Sequence, residues 1–147
     1  MVTWEEGTTP VGPEMTSLTP GKRHILLVED HPTQRRALRF NLVNAGFRVT
    51  EATDGIQALN LAQEDTFDLV ITDYHMTPLL GSQLVKRLRE IERYWTTPVI
   101  MLTGFANELN SQFLRDQMLV LLLAKPYSVK HLLDAVSKCL AVSHSAV

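Results

Sequence analysis

Five residues of this chain close short apolar runs and carry groups that do chemistry. Glu29 and Asp30 follow the run at 25–28, Asp73 the run at 67–71, Thr103 the run at 99–102 and Lys125 the run at 119–124. Were these runs to lie side by side in one direction, three carboxylates, a hydroxyl and an ammonium would share one edge. Carboxylates so gathered repel one another: a pair at ~4 Å costs about 4 kcal/mol at an effective dielectric of about 20. A proton or a cation must relieve that repulsion. Oxygen donors with no His or Cys from the same run ends favour a hard ion such as Mg²⁺, which keeps some of its waters and is completed by phosphate oxygens. Phosphoryl chemistry is the natural use of such a set. Lys125 pairs with a carboxylate in the free state and with a phosphoryl oxygen afterwards. Thr103 donates a hydrogen bond to another phosphoryl oxygen, and a central Asp serves as nucleophile, forming an aspartyl phosphate. Such transfer needs mostly positioning and charge neutralisation. Taken singly, each of these residues is more often a solvated loop or turn residue; their joint occurrence carries the functional reading.

The elements that must position them are legible as an alternation. Short continuous runs of branched apolar residues, with a weaker one at 47–52, suit strands buried on both faces. Between them fall helical spacings: Leu38, Leu42 and Ala45; Ile56, Leu59 and Ala62; Leu84, Val85, Leu88 and Ile91; and Val129, Leu132, Leu133, Val136, Cys139 and Leu140. Pro32 suits a first helical turn. A further helix is expected over 106–116 on Leu109 and Phe113. Strand–helix alternation repeated five times predicts an α/β fold, a parallel sheet with helices on both faces joined by right-handed crossovers. In such sheets ligands bind beyond the carboxyl ends of the strands, where the five residues fall.

Composition bounds the rest. The chain has 147 residues and a formal net charge of −2, with 45% hydrophobic and 20% charged residues. That is globular composition, one domain in size, without the basic excess of a general nucleic-acid binder. A single cysteine excludes a disulfide framework and a Cys-rich zinc site. No apolar run reaches the ~18 residues of a membrane span, and the acidic start MVTWEEGTTP is no secretory signal. A reducing, cytoplasmic setting is expected. Residues 1–22 hold Pro10, Pro13, Pro20, Gly7, Gly12 and Gly21 and are expected to be a flexible leader; residues 142–147 are expected to be a short tail.

The four segments LLVEDHP, LVITDYHMTPLLG, PVIMLTG and LLLAKP resemble the signatures of the response regulator receiver domain, in the family's order; the resemblance runs from about Lys22 to Leu140, nearly the whole chain outside the leader. The resemblance implies a doubly wound, five-stranded, flavodoxin-like sheet in strand order 2-1-3-4-5 over a domain at 23–141. It implies that Asp73 is the phosphoacceptor, that Glu29 and Asp30 hold Mg²⁺ together with Asp73 and the backbone carbonyl of His75, and that Thr103 is the switch hydroxyl. Lys125 is then the family lysine, with Lys125-Pro126 at the family's cis peptide bond. The phosphoryl donor it implies is a phosphohistidine on a sensor histidine kinase or a histidine phosphotransfer protein. Arg35, Arg36 and Arg39 form a basic cluster on the first helix, a solvated face or a contact for that donor.

The chain departs from the family at several positions. Leu122 stands where a switch Tyr or Phe is usual, so the inward aromatic rotation is lost. Thr77 follows the methionine, and Pro78 comes one residue later. The residues at 118–122 are unusually apolar, which suits either a buried strand or an exposed patch for a homodimer or another partner. His75 and Phe105 occupy the two positions that help set phosphoryl lifetime in the family.

No output domain is evident after Lys125. The expected function is therefore a stand-alone receiver that signals by phosphorylation-dependent binding or passes its phosphoryl group along a relay, with no catalysis beyond its own phosphorylation and slow dephosphorylation. A receiver-like scaffold without phosphorylation is the alternative that Leu122 keeps open. An aspartyl phosphohydrolase would need a second acid two residues after its nucleophile; His75 and Pro32 stand there instead. A flavodoxin-like phosphate binder would need a Gly- or hydroxyl-rich first loop, where this chain has acids. A bulky Phe105 is expected to exclude the attacking water. Phe105→Ala should therefore shorten the lifetime of a phosphoryl group, followed as decay of the phosphorylated mass; an unchanged decay rate would refute that role.

Overall fold

The computed structural model describes residues 22–104 and 119–145. The expected helix over 106–116, Phe105 and the leader up to residue 21 lie outside the described residues. Five strands alternate with helices: β1 (His24–Val28), α1 (Pro32–Asn44), β2 (Arg48–Ala52), α2 (Gly55–Glu64), β3 (Leu69–Asp73), α3 (Gly81–Leu88), a 3₁₀ turn (Glu92–Tyr94), β4 (Val99–Thr103), β5 (Val120–Ala124) and α4 (Val129–Ser145). The strands form one parallel sheet in the order β2-β1-β3-β4-β5, the doubly wound topology that the alternation and the resemblance imply.

Parallel register puts all the carboxyl ends on one edge. Val28 pairs with both Ala52 and Thr72, Asp73 with Leu102 and Thr103 with Ala124. Side chains alternate between the faces. Leu26, Val28, Val70 and Met101 join Ala58, Ala62, Leu84, Val85 and Tyr94 in one core under α2 and α3. Ile25, Leu27, Ile71 and Leu102 join Leu38, Leu42, Leu132 and Val136 in the other, under α1 and α4. Most residues of the helical spacings read from the sequence thus face the sheet; Ala45, Ile56 and Val129, expected on those faces, are exposed at or near helix ends, where the chain turns away from it.

β1, β3 and β4 are buried along their whole length, as continuous apolar runs suggest. β2 and β5 are only half-buried, because each has a single neighbouring strand. Burial of every strand on both faces is therefore corrected for these two edges. Phe67 is buried but precedes β3, and Leu119 precedes β5 with a left-handed φ of 64°. α4 continues to Ser145, past the expected domain end at 141.

Local chemistry fixes the element ends. Pro32 opens α1. Asp54 caps α2, its Oδ1 accepting from Gln57 N at 2.8 Å. At the far edge of the sheet, the buried Tyr94 hydroxyl shares its hydrogen between the carbonyls of Ala62 (2.7 Å) and Asp65 (2.6 Å), tying the 3₁₀ turn to the end of α2.

Gly81 matters most to the site. The chain leaves β3, loops outward and returns so closely that a Cβ at Gly81 would lie 2.4 Å from the Asp73 carbonyl oxygen. Gly81 N donates to Tyr74 O at 2.8 Å and fastens the return. Only a residue without Cβ fits against that backbone. Gly81→Ala should cost about 1–3 kcal/mol, the range for overpacking, read as a lower urea midpoint at an unchanged slope. A variant as stable as wild type would mean that the loop yields freely.

Candidate functional site

The acids and the lysine that close the strands meet at the carboxyl edge. Glu29, Asp30 and Asp73 present oxygens within 4.8 Å of one another; Glu29 and Asp73 are buried and Asp30 is exposed. Backbone pairing carries the sheet up to these residues. Glu29 N donates to Ala52 O at 3.1 Å, Tyr74 N to Leu102 O at 2.8 Å and Lys125 N to Thr103 O at 2.8 Å. Thr72 donates its hydroxyl to Asp73 O at 3.0 Å. The Asp73 carboxylate is therefore aimed by a fixed backbone on both sides.

Lys125 brings the opposing charge. Its Nζ lies 2.5 Å from Asp73 Oδ1. This is a close ion pair between a half-buried ammonium and a buried carboxylate. The Lys125–Pro126 peptide bond is cis, as the resemblance implies, and so is Thr77–Pro78. Thr103 is buried at the end of β4, on the same edge. His75 is exposed just past β3, its ring edge-on to Tyr74 at 4.7 Å. A depression of 260 Å³ lined by Asp30, His75, Met76, Thr77 and Leu80 opens beside the acids. Leu122 is half-buried against the core under α2 and α3. The edge thus brings together Glu29, Asp30, Asp73, Thr103 and Lys125, with His75 at the rim; Leu122 lies within β5, away from it.

Electrostatics distinguish the three acids. Burial pushes the Glu29 carboxyl up from 4.5 to about 7, and the nearby charges of Asp73 and Asp30 add to the rise. The His31 backbone N–H, donating to Oε2 at 3.1 Å, opposes it. Glu29 Oε1 is buried with no hydrogen-bond partner among the described residues. The Tyr127 hydroxyl is pushed up to about 12 by burial and by the charges of Glu29 and Asp73.

Gln34 and Glu51, which sequence reasoning passed over, complete the surroundings with two arginines of the basic cluster. Gln34 on α1 accepts from Lys125 Nζ at 3.4 Å. Arg35 donates from Nη1 to Glu29 O at 2.8 Å and from Nε to Glu51 Oε1 at 3.1 Å, and Arg39 pairs with Glu51 at 2.9 Å. Two members of the basic cluster are therefore engaged with β2 and not merely solvated; Arg36 remains exposed. No periodicity or motif marks Gln34 or Glu51. His31 is exposed, and Cys139 is buried on the apolar face of the last helix as its spacing predicts.

An orphaned, buried carboxylate oxygen beside two further carboxylates fits a hard divalent cation, whose charge offsets the repulsion and whose coordination satisfies the oxygen. A proton on Glu29 competes with that cation. In the cation-free protein the same group makes stability fall as pH rises from 4.5 to about 7, since the folded state holds the proton longer than the unfolded one.

Comparison with known proteins follows the same pattern. The family model described as response regulator receiver domain matches residues 25–137. Sensor protein EvgS of Escherichia coli (strain K12) is 38% identical over 89 residues, 60% of this chain and 7% of that protein, so the chain spans a small part of that relative. The solved structure of Vibrio cholerae chemotaxis protein CheY4 superposes with a TM-score of 0.75 at 31% identity, covering 82% of this chain and 100% of that one. The receiver domain of sensor histidine kinase PA1611 from Pseudomonas aeruginosa PAO1 gives a TM-score of 0.75 at 30% identity, covering 82% and 99%, and that structure has a magnesium ion coordinated in its active site cleft.

The raised Glu29 carboxyl sets a pH dependence. Mg²⁺ affinity should be about tenfold weaker at pH 6 than at pH 8, because one proton must leave a group of pKa about 7. Calorimetric titration at the two pH values checks this; equal affinities would show that Glu29 does not ligate as a carboxylate.

Proposed function

We propose, since this chain belongs to the response regulator receiver domain family, that it accepts a phosphoryl group on Asp73 from a phosphohistidine and signals through the resulting change of surface. The observation that carries this reading is the Lys125–Asp73 pair at 2.5 Å beside the Glu29–Asp30–Asp73 carboxylates. A nucleophile, its counter-charge and a cation-binding set converge on one edge, as phosphoryl transfer requires.

Glu29, Asp30 and Asp73 would hold Mg²⁺, with the carbonyl of His75 as a further ligand. When bound, the ion neutralises charge on the phosphoryl oxygens. An Asp73 carboxylate oxygen attacks phosphorus and forms the new P–O bond. The P–N bond of the donor breaks, and the imidazole keeps that electron pair and takes a proton from water. Lys125 gives up Asp73 Oδ1 and meets a phosphoryl oxygen, while Thr103 donates its hydroxyl to another. The domain is a signalling acceptor, and the donors it suits are a sensor histidine kinase or a histidine phosphotransfer protein. The partner that reads the new surface is a protein. Leu122, aliphatic and packed against the core, favours one second reading, a scaffold that binds without phosphorylation. Among the described residues no helix is long and apolar enough to cross a membrane.

Intact mass after incubation with Mg²⁺ and acetyl phosphate separates the two readings. Wild type should gain one phosphoryl group and Asp73→Asn none. A wild type that gains nothing, from acetyl phosphate or from a panel of phosphorylated histidine donors, would leave the constitutive scaffold.

A further inference from the structure

The Lys125 ammonium lies between two elements. On one side is the buried Asp73 Oδ1 at 2.5 Å. On the other is Gln34 Oε1, which accepts at 3.4 Å. Gln34 stands in the first turn of α1, two residues after Pro32, on an element that contributes no acid to the site. A lysine stem is long and flexible, and its ammonium has three donors to place. Beside it opens a cavity of 360 Å³ between α1 and the β5–α4 connection, lined by Gln34, Ala37, Asn41, Pro126 and Tyr127 among others. Without an acceptor on α1 the ammonium has room to lean into that space and into water.

We propose that Gln34 is a positioning residue for phosphoryl acceptance, acting through Lys125; this rests on the phosphoacceptor reading of Asp73. As the P–O bond forms at Asp73 and the donor's bond to phosphorus breaks, negative charge leaves the carboxylate and gathers on the phosphoryl oxygens. The ammonium must follow it over a short path. The contact to Asp73 is the close, charged one, and it weakens as that charge moves to the phosphoryl oxygens. Gln34 is an uncharged acceptor on an element that the transfer leaves unaltered, so it keeps the ammonium at the mouth of the site during the exchange. Gln34 is exposed, so its replacement leaves the packed core untouched.

The test times adduct formation by intact mass at fixed acetyl phosphate and Mg²⁺. Gln34→Met, which keeps the shape and removes the carbonyl, should slow phosphorylation about three- to tenfold, the worth of one partly solvated hydrogen bond to a charged group. Thermal stability should not change. Gln34→Glu, which restores an acceptor, should recover most of the rate. In a Lys125→Ala background the Gln34→Met change should have no further effect. The side-chain ¹⁵N resonance of Lys125 gives a readout independent of turnover: its ammonium protons should exchange with water faster in Gln34→Met and not in Gln34→Glu. A Gln34→Met variant with wild-type rate and exchange would overturn the proposal, as would an equal loss with and without Lys125. A wild type that takes no adduct would overturn the phosphoacceptor reading as well, and is thereby distinguished.

Discussion

Three carboxylates are held within 4.8 Å of one another at one end of a rigid sheet, two of them buried. On a flexible chain such groups would drift apart. Here the strand ends hold them, and at ~5 Å and an effective dielectric of about 20 each ionised pair costs about 3 kcal/mol. The site answers this repulsion in three chemically different ways. Glu29 keeps a proton up to about pH 7. Lys125 brings an ammonium to Asp73. A hard cation, when bound, satisfies the oxygen that Glu29 leaves without a partner. These answers compete, because a proton, an ammonium and a cation all draw on the same few carboxylate oxygens.

The rest of the fold maintains that crowding. Parallel pairing puts every strand's carboxyl end on the same edge, and the buried β1, β3 and β4 give the acids little freedom to retreat. Gly81 lets the loop after β3 press back on the Asp73 carbonyl. Arg35 shows how a nearby cation is kept out of the balance. It is five residues beyond Asp30 in sequence and touches the Glu29 backbone, yet its guanidinium is committed to the Glu29 carbonyl and to the Glu51 carboxylate. The arginine therefore fastens α1 to β1 and β2 while the carboxylates keep their excess of negative charge. Lys125, on one flexible stem, is the cation that stands against the acids themselves, 2.5 Å from Asp73 Oδ1.

How much of this the sequence discloses depends on the kind of signal. Polar residues that end apolar runs are visible, so Glu29, Asp30, Asp73, Thr103 and Lys125 could be placed on one edge before any coordinates. The middles of the helix faces were legible too, because Leu38 and Leu42, Leu84 and Leu88, and Leu132 and Val136 repeat at the spacing of a helix turn and land in the two cores, whereas Ala45, Ile56 and Val129 fit the same spacing and are exposed. Edge burial was not legible: β5 reads as a continuous apolar run yet is half-buried, because composition does not reveal that a strand has only one neighbour. Contacts between distant polar side chains were also invisible. Gln34 meets Lys125 across 91 positions of sequence, and Glu51 meets Arg35 and Arg39 from a strand whose pattern is weak. Such pairings depend on register and crossover, and no local period encodes them.

The same distinction bears on how a change at Asp73 would travel. β3 is locked between β1 and β4 and fully buried, so a new group on Asp73 finds little compliance in its own strand. Thr103 and Lys125, the two residues that turn toward a phosphoryl group on the proposed reading, end β4 and β5. β5 is the half-buried outer strand, with a single neighbour and with Leu119 in a left-handed conformation just before it. Motion is cheapest where fewest contacts must be given up, so on the proposed reading strain set up at the acids would be released toward β5 and away from β1. Leu122 sits on that path, packed inward against the core under α2 and α3. It has no hydroxyl to exchange with Thr103 and no ring to rotate. On the proposed reading, what it would transmit is displacement of its own packed bulk, and that would tie the response to movement of the strand itself.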